Sequence, residues 1–494
     1  MNQKRLAWMG ATIIGIGLVA AVVWWNMHHP SERNENVLAF DTNAIAVNPE
    51  EGYSGFEGWG TSLAWWGHII GQWEDEAAFQ KLMDLIFDPE KGIGINIVRY
   101  NIGGGENPNI PSTLRPGGDV PGFQPEEGRW DWEADAGQRR VLLESIKRGV
   151  NIAEAFSNSP PYWMTVSGSV TGAEDGGNNL RDEYRAAFAD YLTEVVKFYA
   201  EKHGVVFRTL APFNEPLSNW WRRGNNQEGA HFSIDLQMEI IRLVDEALKA
   251  KGLTGTSISA PDTNSMDETF EILEQYDEAT LSRISQINTH SYNGAKMIEL
   301  RERAARLGKK LWMSEYGAGG SEPHNHQDMT SVLELAERIM FDLRLLQPAA
   351  WIYWQAVEDE TAQNNWGWIH ANFVTKEESY EITKQYYAMG QFSKFIRPGS
   401  QIIPTSDGRS VAAYHEQDQM LVVVIRNERS AARQATYDLS AFSYPGNQAA
   451  VYETSAQKNM DQSVLKIASN GFSIEVPMQS VVTVVIQDVK LKAN

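Results

Sequence analysis

Eight short apolar runs, separated by longer amphipathic stretches, are the feature of this sequence that most constrains its fold. The runs have the length of strands, and they occupy residues 55–63, 95–103, 150–159, 207–216, 257–264, 284–292, 310–317 and 349–357. The stretches between them carry apolar residues at helical spacing, as in 184–204 and 233–252. Eight successive strand–helix units predict an α/β fold in which a (β/α)8 TIM barrel occupies residues 51–392.

A doubly wound parallel sheet is the alternative arrangement of such units. Sheets of that kind bind their ligands through a glycine-rich loop between a strand and the helix that follows it. The glycines of "NIGGGENP" (101–108) have a different spacing, and no helical stretch follows them at once. The sequence therefore favours the barrel, with this segment as a loop at its mouth.

The pattern changes after the barrel. From residue 393 to residue 494, short strand-like runs are separated by turn residues without a helical stretch, which predicts a β-sandwich. Residues 37–50 contain an alternating run, "AIAVNP" (44–49), and we expect this strand to join the sandwich. Residues 28–36 are polar and form a linker.

The first residues predict export of the rest of the chain. Lys4 and Arg5 precede twenty uncharged residues, Leu6 to Trp25, which as an apolar helix would be about 30 Å long and could span a bilayer. Residues 1–27 are interpreted either as a signal anchor that stays attached or as a signal peptide that is removed. In both cases the barrel lies outside the membrane, and this helix is its only expected contact with it.

Composition excludes several classes of partner and cofactor. The formal net charge of −21 argues against nucleic acid and anionic lipid surfaces. The chain has no cysteine, so disulfides, thiolate catalysis and cysteine-based metal sites are excluded. The pair of histidines in "HNH" (324–326) lacks a third ligand nearby, so we expect no metal and no cofactor. Nothing in the sequence specifies an oligomeric state.

Two glutamates lie at the ends of predicted barrel strands. Glu215 follows Asn214 and precedes Pro216 at the end of the fourth run, and Glu315 closes the seventh. Barrel enzymes build their active sites at these strand ends. Glycoside hydrolysis requires one carboxyl group as a proton donor and a second as a nucleophile or base. Either motif alone occurs by chance in loops, but together they predict a catalytic pair facing across the barrel mouth.

The residues around this pair allow both functional and structural interpretations. Arg99 could keep Glu315 ionised or could neutralise a structural carboxylate inside the barrel, and Tyr292 could donate a hydrogen bond to the site. His290 could belong to the site or to the core. Trp354 could form a sugar platform or close the barrel floor. Glu154 lies too early in its strand to reach the mouth, so we interpret it as a member of an internal ion pair.

Seven motifs resemble glycoside hydrolase family 30. They are "GWGTSLAWWG" (58–67), "NIVRYNIGGG" (96–105), "FSNSPPYWM" (156–164), "FNEPLSNWWRRGNNQEGAHF" (213–232), "THSYNG" (289–294), "SEYG" (314–317) and "WIYWQAV" (351–357). The resemblance implies a retaining mechanism, with Glu215 as the acid/base and Glu315 as the nucleophile. It also implies a glycone subsite formed by Arg99, Asn158, Asn214, His290, Tyr292 and Trp354.

Within that family the chain is most similar to the endo-β-1,6-galactanase type. Trp65 stands where glucosylceramidase-like members tend to carry an acidic residue, so we add Trp65 to the substrate-binding residues and expect galactan rather than a glucosylceramide. The same mechanism on another β-glycan, such as β-1,6-glucan or xylan, is the alternative. A different class, a non-catalytic surface protein that binds carbohydrate, is disfavoured by the intact pair of glutamates.

Overall fold

The computed structural model describes residues 44–319, 325–361, 366–375 and 377–492. The predicted N-terminal apolar helix, Leu6 to Trp25, and the linker after it lie outside these residues. Within the described ranges, no helix is both long enough and apolar enough to cross a membrane.

A short strand, β1 (Ile45–Ala46), precedes eight parallel strands that form a closed barrel. The barrel strands are β2 (Gly58–Ser62), β3 (Ile97–Asn101), β4 (Ile152–Phe156), β5 (Thr209–Ala211), β6 (Ser257–Ser265), β7 (Ile284–Asn293), β8 (Lys310–Glu315) and β9 (Ala350–Gln355). Pairing of β2 with β9 closes the barrel, with Gly58 opposite Ala350. Each of the eight predicted runs overlaps one of these strands, with β6 and β7 each extending one residue further, so the predicted barrel is confirmed.

Helices follow the strands and cover the outside of the barrel. They are α1 (Gly67–Ile70), α2 (Glu76–Phe87), α3 (Ala136–Lys147), α4 (Arg185–His203), α5 (Ile234–Ala250), α6 (Met266–Leu273), α7 (Glu278–Arg283), α8 (Met297–Arg306), α9 (Met329–Phe341) and α10 (Lys384–Ser393). Single turns of 3-10 helix occupy Pro49–Glu51, Tyr162–Met164 and Asp182–Tyr184, and a π turn occupies Asp342–Leu346.

Local sequence explains where the long helices begin and end. Asp75 caps α2, because its side chain accepts hydrogen bonds from the backbone N–H groups of Ala77 and Ala78, both at 3.0 Å. Gly204 ends α4 in the left-handed conformation at φ 67°, which glycine adopts without a steric penalty. The buried residues of α5 include Ile240 and Val244, four residues apart on the face that packs against the barrel.

The lower half of the barrel is apolar and is closed by an ion cluster. Ile97, Trp312, Ala350 and Ile352 fill its interior. Below them, the carboxylate of Glu57 accepts a hydrogen bond of 2.8 Å from the indole of Trp312 and pairs at 2.8 Å with Arg208 and also with Lys310. The packed floor leaves the opposite end, where the strands terminate, as the end at which a site can form.

The C-terminal region is rich in β-strands, as predicted. Its strands are β13 (Gln401–Pro404), β14 (Ser410–His415), β15 (Met420–Asn427), β16 (Arg433–Asp438), β17 (Phe442–Ser443), β18 (Gln448–Thr454), β19 (Asn459–Lys466), β20 (Gly471–Val476), β21 (Ser480–Ile486) and β22 (Lys490–Leu491). The largest sheet has the order β13-β14-β15-β21-β18-β19, with antiparallel neighbours, and β16 pairs with β20. Val47 pairs with Thr405, so the start of the described chain contacts this region.

Four strands show no recognisable period in the sequence. The strand β19 is an edge strand whose residues are mostly exposed, so its sequence lacks the apolar alternation by which strands are recognised. Three strands of three residues each form a small sheet between β9 and α10: β10 (Val357–Asp359), β11 (Ile369–Ala371) and β12 (Tyr380–Ile382). Segments of three residues are too short to show a period.

A buried aspartate at the start of α3 predicts how stability depends on pH. Asp135 is 1% exposed, caps α3, and accepts hydrogen bonds from the hydroxyl of Tyr100 and the amide of Gln138, both at 2.5 Å. Burial raises the pKa of Asp135 to about 6, although these hydrogen bonds oppose the rise. Because this pKa lies above that of the unfolded chain, the contribution to stability is complete below about pH 4 and is lost as pH rises through 6.

We therefore expect Asp135→Asn to cost less stability at pH 7.5 than at pH 4.5, by on the order of 2 kcal/mol, because the amide does not ionise. Thermal unfolding of both proteins across this pH range measures the difference. A constant gap between variant and wild type at every pH would contradict this assignment.

Candidate active site

Glu215 lies just beyond the end of β5 in a backbone conformation that few residues other than glycine adopt. Its φ is 47°. Three contacts hold it there: its N–H donates to the carbonyl of Asp262 at 2.8 Å, its carbonyl accepts from the indole N–H of Trp221 at 2.9 Å, and the Ser218 N–H donates to the same carbonyl at 3.0 Å. Non-glycine residues held in this region concentrate at functional sites, because the surrounding structure must offset the strain.

The carboxyl groups of Glu215 and Glu315 meet at the mouth of the barrel. Glu315 is the last residue of β8, and both side chains are almost completely buried. An oxygen of each carboxyl group and a ring nitrogen of His290 all lie within 4.8 Å of one another. Oxygens at this separation can approach the same atom of a bound molecule from two sides.

Each carboxyl group has its own hydrogen-bond donors. Oε1 of Glu215 accepts from Nδ2 of Asn264 at 2.7 Å and lies 3.2 Å from Nδ1 of His290. Oε1 of Glu315 accepts from the hydroxyl of Tyr292 at 3.1 Å, and its Oε2 lies 3.5 Å from Nη1 of Arg99. Nδ1 of His290 also lies 3.6 Å from Oε1 of Glu315. The imidazole thus contacts both carboxyl groups, whereas the other donors each contact one.

A charge network lies beneath the pair. Arg99 is fully buried, and it contacts Glu154 at 2.8 Å, Asp262, and Glu315 at 3.5 Å. The second ring nitrogen of His290 lies 3.3 Å from Oδ1 of Asp262. Arg99 pairs with the internal carboxylate of Glu154, the ion-pair member predicted within its strand, and also lies near Glu315.

The network determines which groups carry protons. Although burial lowers it, the negative charges of Glu315 and Asp262 raise the pKa of His290 to about 10. Although burial raises it, the charges of Arg99 and His290 hold the pKa of Asp262 well below its usual range. The imidazole is therefore a cation and Asp262 an anion at neutral pH.

The pKa of Glu315 is raised above that of an ordinary glutamate. Burial raises the pKa of Glu315 to about 7; the positive charge of His290 opposes the rise and the negative charge of Glu215 adds to it. Four carboxylates share this site with two cations. The carboxyl group of Glu315 therefore takes up a proton as pH falls below about 7.

The same three side chains form a candidate metal cluster by distance alone. Glu215, His290 and Glu315 each offer one ligand atom. A histidine needs a free ring nitrogen to bind a metal, whereas the raised pKa of His290 keeps both of its nitrogens protonated. A metal ion bound here would therefore have to displace a proton from His290.

A cavity of about 440 Å³ opens above the pair. Among the residues that line it are both glutamates and five of the seven predicted substrate-binding residues: Trp65, Asn158, Asn214, Tyr292 and Trp354. The other two, Arg99 and His290, are buried beneath the carboxylates and contact the pair rather than the cavity.

Aromatic rings form one wall of the cavity. The rings of Trp65 and Trp354 pack edge to face, with centroids 4.9 Å apart, and Trp366 lies against Trp65 at 6.3 Å. The guanidinium of Arg115 lies 4.4 Å above the ring of Trp65. Flat apolar faces beside carboxylates and amides are the surfaces that a sugar ring requires, since it has both apolar faces and polar edges.

The structure adds residues that sequence analysis missed. Asp262 and Asn264 lie near the end of β6 and contact Arg99 and Glu215. Their position at a strand end was a usable signal. Glu228 also lines the cavity, and burial raises its pKa to about 8, but it lies in a loop whose path the sequence does not specify.

Comparison with known proteins identifies the family. Residues 42–365 match the model for O-glycosyl hydrolase family 30. An endo-beta-1,6-galactanase from Hypocrea rufa is 30% identical, over 80% of this chain and 83% of that protein. An exo-beta-1,6-galactobiohydrolase from Bifidobacterium longum subsp. longum is 24% identical over 89% of this chain, but the match covers 37% of that longer protein.

The fold is also found in solved structures. The catalytic domain of the family 30 xylanase C from Talaromyces cellulolyticus superposes with a TM-score of 0.69 at 20% identity, covering 90% of this chain and all of that one. The barrel, the paired glutamates at its mouth and these matches lead to one conclusion: the chain is a glycoside hydrolase and belongs to family 30.

Proposed function

We propose that this glycoside hydrolase cleaves β-linked polysaccharide with retention of configuration, with Glu315 as the nucleophile and Glu215 as the acid/base. The observation that carries the proposal is the closeness of the two carboxyl groups, since one oxygen of each lies within 4.8 Å of the other. Retaining enzymes hold their carboxyl groups about 5–5.5 Å apart, whereas inverting enzymes need about 6.5–9.5 Å to admit a water molecule.

The first step forms a glycosyl ester. Oε1 or Oε2 of Glu315 attacks the anomeric carbon while Glu215 donates its proton to the oxygen of the leaving sugar, and the glycosidic bond breaks. Tyr292 and Arg99 hold the attacking carboxylate in place. Asn264 and the cationic ring of His290 contact Glu215, so the proton donor also has a fixed position.

The second step returns the enzyme to its starting state. Glu215 has given up its proton in the first step and now acts as the general base. That carboxylate takes a proton from water as the water oxygen attacks the anomeric carbon, and Glu315 leaves as a carboxylate. Two inversions give net retention.

We propose β-1,6-galactan as the substrate and internal bonds as the point of attack. The support is the 30% identity to a protein named endo-beta-1,6-galactanase, together with the indole of Trp65 in the cavity wall. Xylan is the second candidate, because a family 30 xylanase shares the fold, and β-1,6-glucan is the third. A carbohydrate-binding protein without activity would not require two buried carboxyl groups this close together.

Export is part of the same proposal. The apolar segment from Leu6 to Trp25, preceded by Lys4 and Arg5, supports it. The described residues form the catalytic region in either form, anchored or released.

Azide rescue of alanine variants tests the two assigned roles. Glu315→Ala and Glu215→Ala should each lower kcat on polysaccharide by about a thousandfold or more, because each removes an essential group. With a dinitrophenyl β-glycoside, whose leaving group needs no proton, azide should restore turnover of both. Glu315→Ala should form the α-glycosyl azide, because azide enters the space left by the nucleophile, and Glu215→Ala should form the β-azide.

Nuclear magnetic resonance of the products distinguishes the two azides. If Glu315→Ala formed the β-azide and Glu215→Ala the α-azide, Glu215 would be the nucleophile and Glu315 the acid/base. Equal activity of both variants and wild type on polysaccharide would refute the assigned pair.

A panel of polysaccharides tests the substrate. We expect release of oligosaccharides of mixed length from β-1,6-galactan, with slower or no release from β-1,6-glucan, xylan and β-1,4-galactan. Chromatography of the early products measures both the linkage preference and the internal attack. Release from xylan alone would replace the galactan proposal with the second candidate, and release of disaccharide alone would contradict internal attack.

A further inference from the structure

One tryptophan at the cavity is exposed to solvent. Trp220 lines the cavity and is 43% exposed. Among the large apolar side chains that are exposed in the described part of the chain, it is the only aromatic one. Leaving an indole in water forgoes the free energy of burying it, about 25 cal/mol per Å² of apolar surface. Its position beside the site is therefore a feature that needs a functional explanation.

The neighbouring residue shows that the same loop can bury an indole. Trp221 is 2% exposed, and its N–H donates to the carbonyl of Glu215 at 2.9 Å. Gly229 permits this burial, since a Cβ at that position would lie 2.2 Å from the Trp221 ring. The two indoles meet edge to face with centroids 5.8 Å apart. Trp221 thus anchors the loop, whereas Trp220 stays exposed to solvent.

Contacts on the far side of Trp220 fix its backbone. The carbonyl of Trp220 accepts from Nδ2 of Asn225 at 3.1 Å. The carbonyl of Asn225 in turn accepts from the hydroxyl of Thr113 at 2.7 Å, which ties the loop to the segment after β3. These bonds restrain the loop although it has no regular secondary structure.

A second set of contacts joins the loop to the segment after β4. The N–H of Arg223 donates to the carbonyl of Ala173 at 3.1 Å, and its guanidinium pairs with Glu174 at 2.7 Å. Gly172 lets the two segments approach, because a Cβ there would lie 2.2 Å from the carbonyl carbon of Trp221. An indole on a backbone fixed from both sides can bind a ligand without first being ordered.

The position of the loop indicates which part of a substrate it would contact. Trp220 belongs to the loop that carries Glu215, after β5, whereas Trp65 and Trp354 line the cavity from the ends of β2 and β9. In the closed barrel β5 lies opposite β9. Glu215 is the proposed donor to the leaving oxygen, so the sugar that leaves is on the Trp220 side.

We propose that Trp220 is a stacking platform for the sugar unit on the leaving-group side of the scissile bond. This inference rests on the proposed function. The indole face covers the apolar face of that sugar, so the enzyme gains binding energy from a polymer that it does not gain from a glycoside with a small leaving group. Trp220 thereby determines specificity for chains.

Glycosyl fluorides separate this role from a structural one. Their leaving group is a single atom, so their hydrolysis uses the pair of glutamates and the glycone side but no platform beyond the bond. Trp220→Ala should lower kcat/KM on the oligosaccharide that wild type cleaves by about fivefold to tenfold, the range expected for loss of one aromatic stacking contact. It should leave kcat/KM on the monosaccharide fluoride, and on the disaccharide fluoride extended on the non-reducing side, unchanged.

Two further variants serve as controls. Trp220→Phe keeps an aromatic face and should recover most of the activity on oligosaccharide. Met478→Ala removes an exposed apolar side chain in the C-terminal region and should match wild type on every substrate.

The outcomes are distinguishable. Equal losses of kcat/KM on oligosaccharide and fluorides would assign Trp220 a structural role. A loss of kcat/KM on the disaccharide fluoride alone would assign it to the glycone side. Either result overturns the proposal, as does an unchanged kcat/KM on oligosaccharide. If wild type hydrolyses neither the fluorides nor any glycan, the proposed function fails and this inference fails with it.

Discussion

The site depends on two cations buried beneath two carboxylates. Arg99 and His290 have no exposed surface, and between them they contact Glu154, Asp262, Glu215 and Glu315. Four carboxylates could not be buried this closely without those charges, since each unpaired buried charge costs several kcal/mol. The barrel supplies the rigid frame, with β3, β4, β6, β7 and β8 each contributing one member of the network. Proton placement at the mouth follows from this arrangement, as does the orientation of both glutamates.

Much of this could be predicted from the sequence because barrels repeat a simple pattern. Eight apolar runs of strand length implied the barrel, and the rule that sites form at strand ends selected Glu215 and Glu315 from sixty-four acidic residues. Glu154 was placed correctly by its position within its strand, since a residue in the middle of a barrel strand points into the interior or the helix layer and cannot reach the mouth. These predictions rest on the period of apolar residues and on position within a strand, and both can be read from a short stretch of sequence.

The rest of the site depends on contacts between distant segments, which no local pattern encodes. Asp262 lies near a predicted strand end, but its contact with His290 in the charge network forms only because β6 lies beside β7. Arg99 and His290 are predicted to line the glycone subsite, whereas the structure buries them beneath the carboxylates rather than in the cavity wall. Trp220 and Trp221 are adjacent and chemically identical, and only the packing of Gly229 and Gly172 against Trp221 makes one of them an anchor and the other a surface.

Trapping the covalent intermediate is the most direct test of the central claim, that the paired carboxylates act as nucleophile and acid/base. A fluorinated glycosyl fluoride of the accepted sugar forms the ester quickly but releases it slowly, because fluorine beside the anomeric carbon destabilises the positive charge of the transition state. Mass spectrometry should find one fluoroglycosyl group per molecule, attached to the peptide that contains Glu315. A label on Glu215, or hydrolysis that proceeds with inversion and leaves the enzyme unlabelled, would contradict the account.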